Sequence, residues 1–190
     1  MNTPGRQSIR LVGYDYTRSG AYFVTVCVQD RLCLFGDVIE KTMVLNEAGR
    51  MVQNVWQSLP LHNSGITLDE FMVMPNHFHG IVVLDGQAIP PVRQWSMASL
   101  LGKQGREAQR PAPTISLPDV MQRFKSITTA LYRQGKWPGM KRRLWQRNYY
   151  ERIIQGKLEL KHVRQYIKDN PKNWGHDPEN PSPSRRLRCL

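Results

Sequence analysis

The sequence lacks any long uncharged apolar run and has only three cysteines, Cys27, Cys33 and Cys189, among 190 residues. A chain without such a run is not expected to form a transmembrane helix. The first ten residues, MNTPGRQSIR, have no apolar centre typical of a secretory signal, so we expect a cytoplasmic protein with no membrane partner. The cysteines are odd in number and lie at no metal-ligand spacing, which argues against a disulfide framework and a zinc knuckle.

Acidic residues are also scarce, at 15 against 27 Lys and Arg, so the formal net charge is +12 at pH 7. Such a balance favours a polyanionic partner, because neutralising phosphates releases their condensed counterions. Solubility or ribosome association alone would also account for a small basic protein. Nucleic acid is nevertheless the leading partner class, and we expect the protein to be associated with the nucleoid.

Apolar periodicity predicts a mixed α+β domain. The predicted elements are a strand at 21–29, a hairpin at 33–45 with its turn at 35–37, a helix from Asn46 to Pro60, strands at 66–74 and 77–84, a helix capped by Asp119 and ended by Gly135, a strand within 144–154, and a helix at 157–169. With the hairpin left aside, this order is the ferredoxin-like βαββαβ antiparallel sheet with an added β-hairpin and an appended C-terminal helix.

Composition divides the chain into three regions. We expect an N-terminal arm over 1–20, a main domain over 21–174 and a flexible basic tail over 175–190. Within the main domain, residues 85–118 are rich in Pro, Gly, Gln and Arg and are interpreted as a basic insertion, with a helical turn at 96–101. A surface loop is the favoured interpretation of this insertion over a lid.

The stretch MPNHFHGIVVL sets two histidines on either side of one phenylalanine at the start of a predicted strand. Because strand side chains alternate between faces, His77 and His79 should project together while Phe78 points the opposite way. Two imidazoles on one face could hold a cation. Taken alone, however, the stretch favours two half-buried histidines at a sheet edge.

The last predicted helix carries residues that could complete a site beside these histidines. Its apolar stripe, which must face the sheet, is Leu160, Val163 and Ile167. Tyr166 flanks that stripe, and His162 and Asn170 lie four residues before and after it on one face. A phenol is a poor nucleophile, with a pKa near ~10. A cation held by two imidazoles and an amide oxygen would assist its attack on a phosphodiester.

The HFH motif followed by FKSITTALY, LWQRNYYERII and YIKDNP resembles the HUH single-tyrosine transposases, specifically their REP-associated branch and its IS200-like relatives, over roughly residues 21–174. The resemblance implies that His77, His79 and Asn170 bind Mg²⁺ or Mn²⁺ and that Tyr166 is the catalytic nucleophile. It implies cleavage and joining of single-stranded DNA through a 5′-phosphotyrosine at sites marked by hairpins, such as REP-like palindromes. Monomers and homodimers both occur in the family, so the oligomeric state stays open.

Other residues compete for, or add to, these roles. Tyr149 and Tyr150 are rival nucleophiles, although in a strand at least one of them must face the core. The candidate DNA contacts are Lys125, Arg142, Arg143, Arg147, Lys161, His162 and Lys168. Each cation alone could be an ordinary solvated charge, so the prediction depends on the whole set.

Two other functions remain open at this point. One is a hairpin-binding protein that keeps the fold without catalysis, which a metal-independent DNA affinity would distinguish. The other is a zinc hydrolase, which would need a third His, Asp or Glu ligand and an activated water. No Asp or Glu stands at a ligand spacing around HFH.

Overall fold

The computed structural model describes residues 15, 18–63, 65–85, 115–140 and 142–181. The predicted helical turn at 96–101, Cys189 and most of the predicted N-terminal arm lie outside these residues. Among the helices within them, none is long and apolar enough to cross a membrane.

The main sheet has four antiparallel strands with β1 near its centre. The strands within the described residues are β1 (Gly20–Cys27), β2 (Gly36–Ile39), β3 (Thr42–Leu45), β4 (Ile66–Val73), β5 (His77–Leu84) and β6 (Tyr150–Ile154). The sheet order is β4-β5-β1-β6, and β2 pairs with β3 in a separate hairpin. This order is that of a ferredoxin-like sheet, so the predicted fold class is confirmed.

Three helices cover the two faces of this sheet. They are α1 (Glu47–Ser58), α2 (Leu117–Gln134) and α3 (Lys157–Asp169). The predicted cap of α1 is present, since the Asn46 side chain accepts a hydrogen bond from the Gly49 N–H at 2.9 Å. Helices α1 and α2 bury their apolar residues against one face, and α3 buries Ile167 against the other.

The predicted turn of the hairpin was wrong. The chain reverses at Glu40 and Lys41, whose φ angles of 48° and 64° suit a two-residue hairpin turn. Gly36 instead begins β2 with φ 130°, where an added Cβ would lie 2.1 Å from the Val44 carbonyl oxygen. The reversal lacks the Asn-Gly or Asp-Gly pair that usually marks such a turn.

The predicted start of α2 was also wrong. Ser116 is the N-cap, and Asp119 is the third helical residue, whose carboxylate accepts a hydrogen bond from the Ser116 N–H at 3.1 Å. The two residues therefore form a reciprocal capping box. As a consequence, the helix begins inside the segment expected to be an insertion.

A threonine and a tyrosine lie on the buried face of α2, whereas two aliphatic residues lie at its edge. Ile127 and Leu131 are 37% and 36% exposed, whereas Thr128 and Tyr132 are buried. The hydroxyl of Thr128 donates to the Phe124 carbonyl at 2.7 Å and accepts from Trp145 Nε1 at 2.7 Å. Because these two hydrogen bonds satisfy its hydroxyl, Thr128 can occupy a buried position where an aliphatic residue would be expected.

Strand β6 is shorter than predicted. Residues 144–149 precede it as an irregular segment, in which Trp145 forms an isolated bridge with Val28, the residue that follows β1. Trp145 is only 3% exposed and packs against Phe35 and Phe124, with ring centroids 5.2 and 5.7 Å away. Its side chain is therefore part of the core.

Two ion pairs connect helix α3 to the edge strand β4, at a bulge in that strand. The register shifts between Leu68 and Phe71, which gives β4 an extra residue there and a bulge containing Asp69. Arg164 of α3 donates to both carboxylate oxygens of Asp69, at 2.8 and 2.5 Å. Lys168 of α3 lies 3.1 Å from the carboxylate of Glu70. The bulge thus sets the position of α3 over the sheet.

Candidate active site

The two histidines project together from β5, as the alternation predicts, and both are buried. His77 is 0% and His79 3% exposed, and their Nε2 atoms are 3.0 Å apart. Phe78 faces the opposite side and packs on Trp56 and Phe124, with ring centroids 4.5 and 5.0 Å away. The phenylalanine therefore anchors the strand from which both imidazoles project.

Burial keeps both imidazoles neutral at pH 7. It lowers the pKa of His77 to about 4, against the opposing influence of the Asp177 carboxylate and of a hydrogen bond with Asn170. Burial also holds the pKa of His79 well below its usual value, and the neighbouring His77 acts in the same direction. A neutral imidazole is the form that binds a metal ion.

The tautomer of His77 follows from the orientation of Asn76. The Asn76 amide nitrogen donates to the backbone carbonyls of Arg31 and Glu179, at 3.2 and 2.6 Å. Its Oδ1 therefore faces His77 Nδ1 at 2.9 Å and accepts a hydrogen bond from Nδ1–H. The lone pair of His77 is consequently left on Nε2, the atom that points at His79.

A similar contact orients His79. Its Nδ1 lies 2.8 Å from the Thr25 hydroxyl, which can accept from Nδ1–H and leave the lone pair on Nε2. Two lone pairs 3.0 Å apart repel unless a proton or a cation lies between them. Two nitrogens bound at about 2.1 Å and at right angles to one cation would be roughly 3 Å apart. The spacing of the two histidines therefore fits a shared cation.

Asn170 brings an amide to this pair from the C-terminal end of α3. It is 2% exposed, and its Nδ2 lies 3.3 Å from Nε2 of His79. Its Oδ1 is buried without a geometric hydrogen-bond partner among the residues that the structure describes. Rotating the amide would exchange the two atoms and turn the oxygen toward His79. The donor set therefore fits a cation, and the role of Asn170 as a ligand stays a prediction.

Tyr166 lies at the edge of the same cluster. It is 50% exposed, and its ring meets His79 and Phe23 edge-on, at centroid distances of 5.3 and 5.9 Å. Burial raises the pKa of the phenol, Asp177 adds to this effect, and a hydrogen bond with Asn170 opposes it. The phenol is therefore protonated at pH 7 and needs assistance to act as a nucleophile.

The rival tyrosines face opposite sides, as expected for a strand. Tyr149 is partly buried against the core between the sheet and helices α1 and α2. Tyr150 is 45% exposed on the histidine side, where its ring meets Phe23 at 6.3 Å. Among the described residues, Tyr166 rather than Tyr150 has the ring contact with His79.

Asp177 also belongs to this cluster, although sequence reasoning did not identify it. Its Oδ2 lies 3.8 Å from His77 Nε2, and its side chain is 6% exposed. Ligand atoms of His77, His79 and Asp177 all lie within 4.8 Å of one another. The residue falls in the segment expected to be a flexible tail, and no spacing to HFH could reveal it, because only the fold brings the two segments together.

Four of the candidate DNA contacts meet in one groove. Lys125, Arg142, Arg143 and Arg147 line a groove of about 630 Å³ between α2 and residues 142–149. Lys125 uses two of its three donors on the backbone carbonyls of Gln146 and Arg147, at 2.7 and 2.9 Å. Burial, together with the nearby Arg143 charge, lowers the pKa of Lys125 to about 8.

The other three candidate contacts lie on α3, outside that groove. Lys161 and His162 are exposed, and Lys168 is paired with Glu70. The structure thus separates the predicted DNA contacts into a groove beside α2 and a second group on the histidine side of the sheet.

The fold and the site define a ferredoxin-like α+β protein with a buried histidine pair, a tyrosine and an amide converging at one end of its C-terminal helix. The family model described as "Transposase IS200 like" matches residues 109–170, which include both Tyr166 and Asn170. This part of the chain, about a third of its length, thus matches the IS200-like transposase family.

Two known proteins illustrate the similarity. A protein of Haemophilus influenzae, described as "Uncharacterized protein", is 35% identical over 174 residues, which cover 90% of this chain and 91% of the relative. The solved structure of a REP-associated tyrosine transposase bound to a REP hairpin superposes with a TM-score of 0.54 at 16% identity. The superposition covers 87% of this chain and 74% of that one, and it shows a shared fold.

Proposed function

We propose that this protein is a metal-dependent transposase that cleaves and rejoins single-stranded DNA at hairpin-marked sites through a 5′-phosphotyrosine. The observation that carries the proposal is the convergence of the half-exposed Tyr166, the neutral pair His77 and His79, and the buried amide of Asn170. The match to the IS200-like transposases over residues 109–170 supports it, and the fold is shared with a REP-associated tyrosine transposase solved with a bound REP hairpin.

His77, His79 and Asn170 would hold Mg²⁺ or Mn²⁺. The exposed side of the cluster, where Tyr166 emerges, would receive the scissile phosphate. When bound, the cation would polarise the phosphorus and stabilise the charge that develops on the phosphate oxygens. Imidazole ligands suit Mn²⁺ better, whereas Mg²⁺ prefers oxygen.

The attack by Tyr166 exchanges one phosphate ester bond for another, so the energy of the phosphodiester is retained. The Tyr166 oxygen attacks phosphorus and its proton passes to solvent, while the P–O3′ bond breaks and the leaving 3′ oxygen takes up a proton. The products are a 5′-phosphotyrosine and a free 3′-hydroxyl. Attack of a 3′-hydroxyl on this ester releases Tyr166 and rejoins the strand without ATP.

Removal of metal should abolish the covalent intermediate. Labelled single-stranded hairpin oligonucleotides with varied flanks are incubated with the protein and Mn²⁺, and the adduct is measured on a denaturing gel. We expect a shifted band with Mn²⁺ or Mg²⁺, its loss with EDTA and its return when metal is added back.

Other outcomes of the same experiment would favour the alternatives. Tight hairpin binding that needs no metal, with no adduct from any substrate, would indicate a non-catalytic binding protein. Zn²⁺-dependent hydrolysis that survives in Tyr166→Phe would indicate a hydrolase.

The groove beside α2 is the proposed site for phosphates of the hairpin. Its arginines are exposed, and the segment that carries them is held to α2 by Lys125. Arg143→Gln should weaken hairpin binding about equally for different sequences and reduce the slope of log affinity against log salt by about one. Fluorescence anisotropy over a range of salt concentrations measures both effects.

A matched control distinguishes the groove from overall charge. Arg50→Gln removes the same charge from an exposed residue of α1 that is not part of the groove. An equal change of slope in both variants would contradict the proposal that the groove contacts phosphate.

A further inference from the structure

The carboxylate of Asp177 is held by one oxygen and faces the histidines with the other. Its Oδ1 accepts a hydrogen bond from the Glu179 N–H at 2.7 Å, and its backbone carbonyl accepts from the Asn180 N–H at 2.9 Å. These bonds form a compact turn and leave Oδ2 at 3.8 Å from Nε2 of His77. The orientation of the carboxylate is therefore set by the backbone around it.

Contacts with the core hold this turn against the site. The Glu179 carbonyl accepts from the Asn76 amide at 2.6 Å, and the Pro178 carbonyl accepts from Arg31 at 3.1 Å. The Glu179 carboxylate also pairs with Arg31 at 3.1 Å. Asn76 is the residue that orients His77, so the same side chain connects the turn with the imidazole.

The distances suit ligands of one cation better than an ion pair. A separation of 3.8 Å between His77 Nε2 and Asp177 Oδ2 is too long for a hydrogen bond. Two ligands of an octahedral cation are roughly 3.0 Å apart when adjacent and roughly 4.3 Å apart when opposite. The 3.0 Å between the Nε2 atoms of His77 and His79 equals the adjacent value. The 3.8 Å between His77 Nε2 and Asp177 Oδ2 lies between the adjacent and opposite values. The Asn170 oxygen beside this pair is buried without a geometric hydrogen-bond partner among the described residues, so it is available to a cation.

We infer that Asp177 is a further protein ligand of the cation, which makes the centre a site of two histidines, one amide and one carboxylate. This inference rests on the proposed metal-dependent function. Four protein ligands would leave room at the cation for phosphate oxygens. The carboxylate is a hard donor that suits Mg²⁺ and Mn²⁺, and its charge lets the metal bind before DNA arrives.

The inference is tested by binding Mn²⁺ to the full chain without DNA. Free Mn²⁺ is measured by electron paramagnetic resonance during titration of the wild type, Asp177→Asn, His77→Ala and the control Asp37→Asn, which changes an exposed carboxylate on β2. Asparagine keeps the acceptor that the turn needs but lacks the charge. We expect Asp177→Asn to weaken Mn²⁺ binding by about 10- to 100-fold. Asp37→Asn should bind Mn²⁺ as the wild type does.

The variants separate failure of this inference from failure of the proposed function. Wild-type affinity in Asp177→Asn, together with loss of binding in His77→Ala, would overturn the role of Asp177 and leave the metal centre intact. Wild-type affinity in both would overturn the metal centre and the inference with it. If Asp177→Asn lowers the metal-free melting temperature, Asp177→Ser provides a second variant that keeps a side-chain acceptor, and the same two outcomes apply to it.

Discussion

Tyr166→Phe is expected to abolish the covalent protein–DNA adduct, whereas Tyr150→Phe should retain it. Removing the phenolic oxygen removes the only atom that can form the ester if Tyr166 is the nucleophile. We expect adduct formation to fall by at least about three orders of magnitude, as for other enzymes that lose a nucleophile. The adduct is measured with labelled hairpin DNA and Mn²⁺ on a denaturing gel.

Tyr150 is a demanding control because it shares the environment of Tyr166. Both tyrosines are about half exposed, and both meet the ring of Phe23 edge-on. Tyr166→Phe should keep wild-type Mn²⁺ affinity and melting temperature, so that loss of the adduct reports on chemistry. An adduct that survives Tyr166→Phe and disappears in Tyr150→Phe would place the nucleophile on β6.

Most of the sheet and the histidine side of the site can be predicted from the local periodicity of the sequence. Strand alternation is enough to place His77 and His79 on one face and Phe78 on the other, because the period of two is a property of every strand. Helical periodicity likewise places Ile167 against the sheet with Tyr166 at its edge. These features depend on neighbours within one element, which a single sequence displays directly.

Features that depend on distant contacts were missed. Asp177 reaches His77 only because Asn76 and Arg31 hold the turn at 177–180 against the core, and neither partner is near it in sequence. The buried position of Thr128 likewise depends on a hydrogen bond from Trp145. Composition marks these residues as polar, and polar residues are usually exposed unless a partner is present.

The placement of α3 explains how the fold and the site depend on each other. Asp69 and Glu70 lie at the bulge of β4, where they pair with Arg164 and Lys168 of α3. Exposed ion pairs contribute little to stability individually. Their value here is geometric, because they fix the helix that carries Tyr166 over the strand that carries the histidines.

Phe78→Ala should lower the free energy of unfolding by about 3–5 kcal/mol, the usual cost of removing a buried phenylalanine ring. The ring is fully buried against Trp56 and Phe124. The rings of Phe78 and Trp56 also lie close over Gly80, where an added Cβ would be 2.6 Å from Trp56 Cζ2 and 2.8 Å from Phe78 Cε1. Urea denaturation followed by far-UV circular dichroism measures the change.

Two further variants separate packing from the chemistry of the neighbouring histidines. Phe78→Leu fills much of the same volume and should cost less than about 1.5 kcal/mol while keeping Mn²⁺ affinity, because the side chain points away from the imidazoles. Leu158→Ala, at a residue of α3 that is 77% exposed, should change stability by no more than about 0.5 kcal/mol. If Phe78→Ala were as mild as Leu158→Ala, the ring would not be anchoring β5. The position of β5 would then depend on its pairing with β1 and β4 instead.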